Sequence, residues 1–334
     1  MTTTETTATT ATATRPHTVP TASGSLHLRP VSWHMPMLVL AAAMVLLAAF
    51  ATVASFVDTR EVTGVNLWLK PLKFAISTAV YSVTLSWLIG QLNRLRRAAW
   101  IAGTIATIGL AIELIIITGF AAVGDSSHFN VTTPIHTAAW AIMATSISVV
   151  WVMTLIVAFA LFRNRLGDRA RTLAIRAGAL IALLGMALAF LMTGPQGDQV
   201  SNYQGIVGAH TIGLADGGPG LPLLGWSTIA GDLRIPHFIG MHALQVLPIF
   251  AIVLELLARR VPRLADETLR MRWVAIASVT YLAVIGIVTA QALSGESIVQ
   301  PSLPFVVGAV VVAVGAVVAG PVSIRRGAAT QPPA

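Results

Sequence analysis

The chain has 334 residues, 55% hydrophobic and only 10% charged, against roughly 25% charged in soluble domains, so it is too poor in charge to solvate a soluble surface. Its 21 Lys and Arg against 13 Asp and Glu give a formal net charge of +8, but the basic residues sit in short clusters between apolar stretches of membrane length. That is a topology signal, and it argues against a nucleic-acid partner and for the lipid bilayer. Cysteine is absent, which excludes disulfides, thiolate zinc, iron–sulfur clusters and covalent c-type haem; any metal would rest on His, carboxylate or Met.

In chain order, residues 1–34 are rich in Thr, Ala, Ser and Pro with no apolar face, and are expected to be a disordered cytoplasmic tail. The run Met35–Val57 begins too late and is too long for a signal peptide. It is the first of eight stretches long enough, at about 20 residues, to cross a bilayer as helix. The others are Leu72–Gln91, Ala99–Phe120, Ile135–Phe162, Ala177–Thr193, Pro236–Ala258, Trp273–Leu293 and Leu303–Val322. The expected fold is therefore all-α, a polytopic transmembrane helical bundle spanning residues 35–322, with a short cytoplasmic tail over 323–334. Of the 21 basic residues, all but Arg60, Lys70, Lys73 and Arg234 fall on one face of this topology. The positive-inside rule makes that face cytoplasmic and places both termini there.

The second span is entered through VNLWLKPLKF (Val65–Phe74), where Trp68 suits the interface and Lys70 and Lys73, three apart, share a helix face. Joined by Arg234, the two lysines are candidates to hold an anionic group, a carboxylate or a haem propionate; snorkelling to the interface is the alternative. Glu113 lies seven residues before the outer end of the third span. Five histidines, His128, His136, His210, His237 and His242, all map to the outer loops or outer helix ends, whereas His17, His27 and His34 lie in or beside the tail. Thr133, Pro134 and His136 read as cap, first position and first turn of the fourth span. On a straight sixth span His237 and His242 point about 140° apart, and His242 reaches the same depth as Glu113, about 9 to 10 Å. Gln245, three residues on, adds a possible hydrogen-bond partner. Ionisable groups inside spans line cavities, pair or bind something, so His128, His136, His237, His242 and Glu113 form the candidate metal set. His136, His237, His242, Lys70, Lys73 and Arg234 form the candidate cofactor set. Glu255 is expected to pair with Arg259, four residues on. Gly308, Gly315 and Gly320 are expected to let the last span pack closely.

Residues 194–235 make a long Gly-rich outer loop carrying Asp198, Asp216, Asp232 and His210. Loops of that length are functional or disordered, and a lid over the histidines is one reading, a surface hairpin the other. VNLWLKPLKF, SHFN (Ser127–Asn130) and GDLRIPHFIGMHALQ (Gly231–Gln245) resemble segments of uncharacterised multi-pass membrane proteins of bacteria. The resemblance covers residues 57–258 and implies a bacterial inner-membrane setting without an activity. Walker A, H-E-x-x-H and G-x-S-x-G signatures are missing, and the four residues between His237 and His242 do not match the H-x-x-x-H pair of membrane zinc hydrolases. Three function classes follow: a redox protein binding noncovalent haem b or a His/carboxylate metal, with a small molecule or quinone as substrate; a proton-coupled transporter using Glu113 and His242; and an assembly or accessory protein whose polar cluster satisfies itself.

Overall fold

The computed structural model describes residues 32–328, so the expected tail is outside it up to Val31. Ten helices and two short hairpins make up the described chain. Helix α1 (Met35–Val57) is capped by His34, whose Nδ1 accepts from Met37 N at 3.3 Å. The same imidazole donates from Nε2 to Trp100 O at 2.9 Å, so a fully buried histidine ties the first helix to the third. Hairpin β1 (Glu61–Val62) and β2 (Val65–Asn66) leads into α2 (Leu69–Gly90). Trp68 is not an interfacial anchor; it is buried and donates from Nε1 to Asp58 at 3.0 Å. Helix α3 (Arg96–Val123) ends on Gly124 at φ 80°, a conformation that costs glycine little. Helix α4 (Pro134–Phe162) starts as its sequence prescribes, with Thr133 as cap and Pro134 in the first turn. Helix α5 (Arg169–Leu188), capped by Asp168, tightens into a 3-10 turn over Ala189–Met192.

The sixth span departs from expectation. It is two helices, α7 (Arg234–Met241) and α8 (Ala243–Leu257), bent by 41° at His242. Gly240 and Pro248 bracket the bend, the one cheap to distort and the other without the N–H that Leu244 O would receive. Helix α5 presses its backbone on both sides of the break: a Cβ at Gly185 would lie 2.3 Å from Gly240 C, and one at Gly178 2.7 Å from Ala243 O. Helices α9 (Glu267–Leu293) and α10 (Leu303–Ala328) complete the bundle, α10 running past its expected end at Val322.

Seven helices are each long and apolar enough to cross a membrane, and there are eight if the bent pair is counted as one span. The chain is thus a multi-pass helical membrane protein. One core joins α1, α2, α3, α4 and α5 around Leu85, Leu88, Leu114 and Val150, and a second joins α5, α8 and α9 around Ala174, Leu247 and Val274. Helices α9 and α10 are peripheral, 11% and 6% buried over their most apolar windows. The close packing expected of the last span is present only at Gly320, against Trp273; Gly315 has open space beside it.

The basic loops cohere at one end. Asn164 accepts from the backbone N of Asn93 and Arg94 and donates to Arg94 O, while Arg270 pairs with Asp168 at 2.7 Å. Glu255 does not pair with Arg259. It takes both nitrogens of Arg171 on α5, because a helix-to-helix partner pointing inward competes better than an exposed neighbour on the same helix. At the opposite end, residues 194–235 are folded and not structureless. They carry α6 (Gly197–Ser201) and a hairpin of β3 (Thr211–Ile212) with β4 (Gly231–Asp232), and bridge back to Asn130 through Ile206.

Candidate functional site

Beneath that folded loop lie two adjoining cavities that share Phe74, Ser77, His128, Phe129, His210, Arg234 and Phe238 as walls. The upper, about 520 Å³, opens at the poorly basic end and is roofed by the loop at Ile206, Asp216 and Leu223 to Trp226. The deeper, about 400 Å³, lies among α2, α3, α4, α5 and α7, with Tyr81, Trp140, Met143 and Trp151 on its walls, and is open at its edge past the exposed Ile147 and Phe190. The long loop therefore lies over the histidines as a roof.

Each polar side chain at the mouth has a defined partner. Lys70 Nζ lies 3.0 Å from His128 Nδ1; an ammonium can only donate, so that ring nitrogen accepts and the imidazole is neutral. Burial, with Lys70 and His210 nearby, holds His128 well below the usual histidine range. His128 packs against Trp140 and Phe129, and Phe129 against His210, with centroids 4.9 to 6.0 Å apart. His210 donates from Nδ1 to Asp216 at 2.5 Å, and its backbone N reaches the other carboxylate oxygen at 2.8 Å. Burial lowers His210 in spite of that partner. For Asp216 burial is the largest single influence and pushes upward, but the two hydrogen bonds from His210 and the charges of His210 and Arg234 together outweigh it, and the carboxyl stays below its ordinary value. Arg234 grips Asp232, itself 1% exposed, through Nε and Nη2 at 2.9 and 2.6 Å and donates on to Gly225 O. Lys73 reaches over to Leu224 O at 2.7 Å, tethering the loop to α2.

Glu113 differs from all of these. It is 4% exposed, lines the deeper cavity, and makes no hydrogen bond among the described residues. His237, on the same cavity, donates from Nδ1 to Gly185 O at 2.8 Å, which leaves Nε2 uncommitted. Tyr81 reaches Thr154 at 2.6 Å.

The expected residues are partly brought together. Lys70, Lys73, Arg234, His128 and His242 line the upper cavity, and Glu113, His128, Arg234 and His237 the deeper one. His237 lines the deeper cavity and His242, at the bend, the upper one. Consequently Glu113 shares its cavity with His237, and the expected Glu113–His242 contact is not formed; His242 instead faces Gln245 at 3.3 Å. His136 lies outside both cavities, held by Asp125 at 2.8 Å and Thr133 at 2.6 Å. Among the described residues no three His, Asp or Glu side chains come close enough to hold a metal ion. The proposed set of His128, His136, His237, His242 and Glu113 is thus not assembled as one ligand sphere. Sequence reading undervalued His210 with Asp216, which build the roof; six residues apart in a glycine-rich loop, they carry no periodicity that would announce a pair.

Fold and site together define a multi-pass membrane protein with a basic, histidine-lined mouth above a largely apolar chamber holding one carboxyl without a hydrogen bond among the described residues. Comparison with known protein families, curated proteins and solved structures finds no match for the chain.

Proposed function

We propose that the protein is a proton-coupled carrier in a bacterial cytoplasmic membrane, taking a small organic solute from the outer face, with the Glu113 carboxyl as the proton-coupling group. The observation that carries this reading is the isolation of Glu113. A carboxyl buried without a hydrogen-bond partner in an apolar chamber is costly and is kept where it gains or loses a proton or meets a ligand. The bent span adds support, because a helix broken beside a cavity is a recurrent feature of carriers. Solid-supported-membrane recording on proteoliposomes tests it with acetate, benzoate, octanoate and octyl phosphate as probes. At least one is expected to give a proton-coupled current that Glu113→Gln reduces tenfold or more; no current with any probe, or one unchanged in the variant, overturns the reading.

One observation favours a second reading, a redox protein with noncovalent haem b or a metal and a quinone-like substrate. His237 gives Nδ1–H to a backbone carbonyl and keeps Nε2 free toward the chamber, the arrangement that orients ligating imidazoles. Lys70, Lys73 and Arg234 would then face propionates. Soret absorbance and stoichiometric metal in the detergent-purified protein would replace the carrier reading with this one.

A further inference from the structure

The upper cavity is not closed toward the lipid. Ile76 and Val80, one turn apart on α2, are 52% and 41% exposed, yet they line the same cavity as Lys70 and Lys73. Phe238 and His242 of the bent span form its other side. On a membrane-spanning helix an exposed Ile or Val faces hydrocarbon. The cavity therefore runs as a groove from the lipid-facing flank of α2 up to the depth of the lysines. Seven residues of helix separate Lys73 from Val80, about 10 Å along the axis, so the groove has a charged top and an apolar lower part in the orientation of a lipid-like molecule.

The charges at the top are unequal in their pairing. Arg234 is neutralised by Asp232 and His210 is bonded to Asp216. Lys70 and Lys73 are in none of the ion pairs among the described residues; one ammonium rests on a neutral imidazole and the other on a backbone carbonyl. A snorkelling lysine turns its ammonium to water, whereas Lys70 turns inward onto His128. Asp216 and Glu113 act on Lys70, and Asp232 on Lys73, only from beyond ion-pair distance, so two cations with no carboxylate in direct contact, at the head of an apolar groove, match an anion that carries a hydrocarbon tail.

We propose that this groove admits, sideways from the outer leaflet, a single-chain amphiphile with a carboxylate or phosphate headgroup. The headgroup sits on Lys70 and Lys73, and the chain lies along Ile76 and Val80. The inference builds on the carrier reading in that the amphiphile would be the solute carried, but binding itself needs no transport.

The test is equilibrium binding of radiolabelled dodecanoate and dodecyl phosphate to the full chain in nanodiscs of neutral phosphatidylcholine, with empty discs subtracted. Saturable binding is expected, with the two probes competing for it. Acetate, inorganic phosphate and dodecyltrimethylammonium should not compete. Lys70→Met/Lys73→Met should weaken it at least tenfold, with Lys70→Arg/Lys73→Arg restoring most of it. Val80→Trp, which fills the lipid-facing flank and leaves the lysines intact, should weaken binding as well and carries the test if the methionine variant misfolds. Equal competition by dodecyltrimethylammonium, or binding unchanged in the methionine and tryptophan variants, overturns the proposal. Competition by inorganic phosphate as strong as by dodecyl phosphate makes this a free-anion site and overturns the lateral source. Saturable binding by a protein that gives no proton-coupled current removes the carrier reading and leaves this one standing.

Discussion

At the scale of single residues, the buried His128 and His210 make stability depend on pH in a definite direction. His128 and His210 are held below 6.5, the ordinary histidine value, mainly by burial. Well above pH 6.5 each is neutral in both folded and unfolded chains and contributes no difference. As pH falls below that value the unfolded chain takes up protons that the folded chain refuses, so folding weakens. Thermal unfolding in detergent is expected to shift to lower temperature between pH 7 and pH 5, with a shallower slope for His128→Gln; an equal slope in the variant would place the pH dependence elsewhere. The ion pair at the basic end gives a second prediction. Arg171 and Glu255 have side chains only 16% and 12% exposed, so Glu255→Gln strands a largely buried guanidinium at a cost on the order of 3 kcal/mol. Arg259→Ala, which breaks no such pair, should stay within about 0.5 kcal/mol. Denaturant titration of the two variants checks the contrast.

At the scale of elements the decisive contact is the crossing of α5 over the bent span. Hydropathy runs unbroken from Arg234 to Leu257, so the length of the sixth span could be read from the sequence but its break could not. The break is a matter of backbone approach, with Gly185 against Gly240 and Gly178 against Ala243. Gly185→Leu is expected to lower stability by about 1–3 kcal/mol or more through overpacking and to disturb His237, whose ring is bonded to Gly185 O. Gly315→Ala, with open space around it, should be neutral or stabilise α10 by up to about 1 kcal/mol. Thermal melts of both variants test this, and equal destabilisation would refute the assigned crossing. The lone glycine pattern in α10 shows why small residues in a sequence do not by themselves locate an interface: the glycines that matter are those another backbone meets.

At the scale of the whole molecule, the basic loops gather at one end of the described bundle, which the positive-inside rule predicts to be cytoplasmic, and the absence of cysteine makes that prediction directly measurable. Ile229→Cys, in the folded loop and 57% exposed, should react with a membrane-impermeant maleimide on intact cells. Arg165→Cys, between α4 and α5, should react only after permeabilisation. Labelling of Arg165→Cys from outside would invert the orientation and move the cavity mouth to the cytoplasm.

The sequence by itself determined the long apolar helices and the gathering of polar residues at one end, because hydropathy and charge asymmetry are local sums over residues that the bilayer reads one segment at a time. Thr133, Pro134 and His136 were legible for the same reason, since a helix cap is settled within four residues. Only the tertiary structure decided which of those polar groups meet. His136 went to Asp125 and away from the cavities, His210 and Asp216 joined the roof, Glu255 left its neighbour for Arg171, and Glu113 was left without a hydrogen bond. Each of these outcomes depends on the rotation and bend of whole helices against one another, and that is fixed by close backbone contacts between segments far apart in the chain.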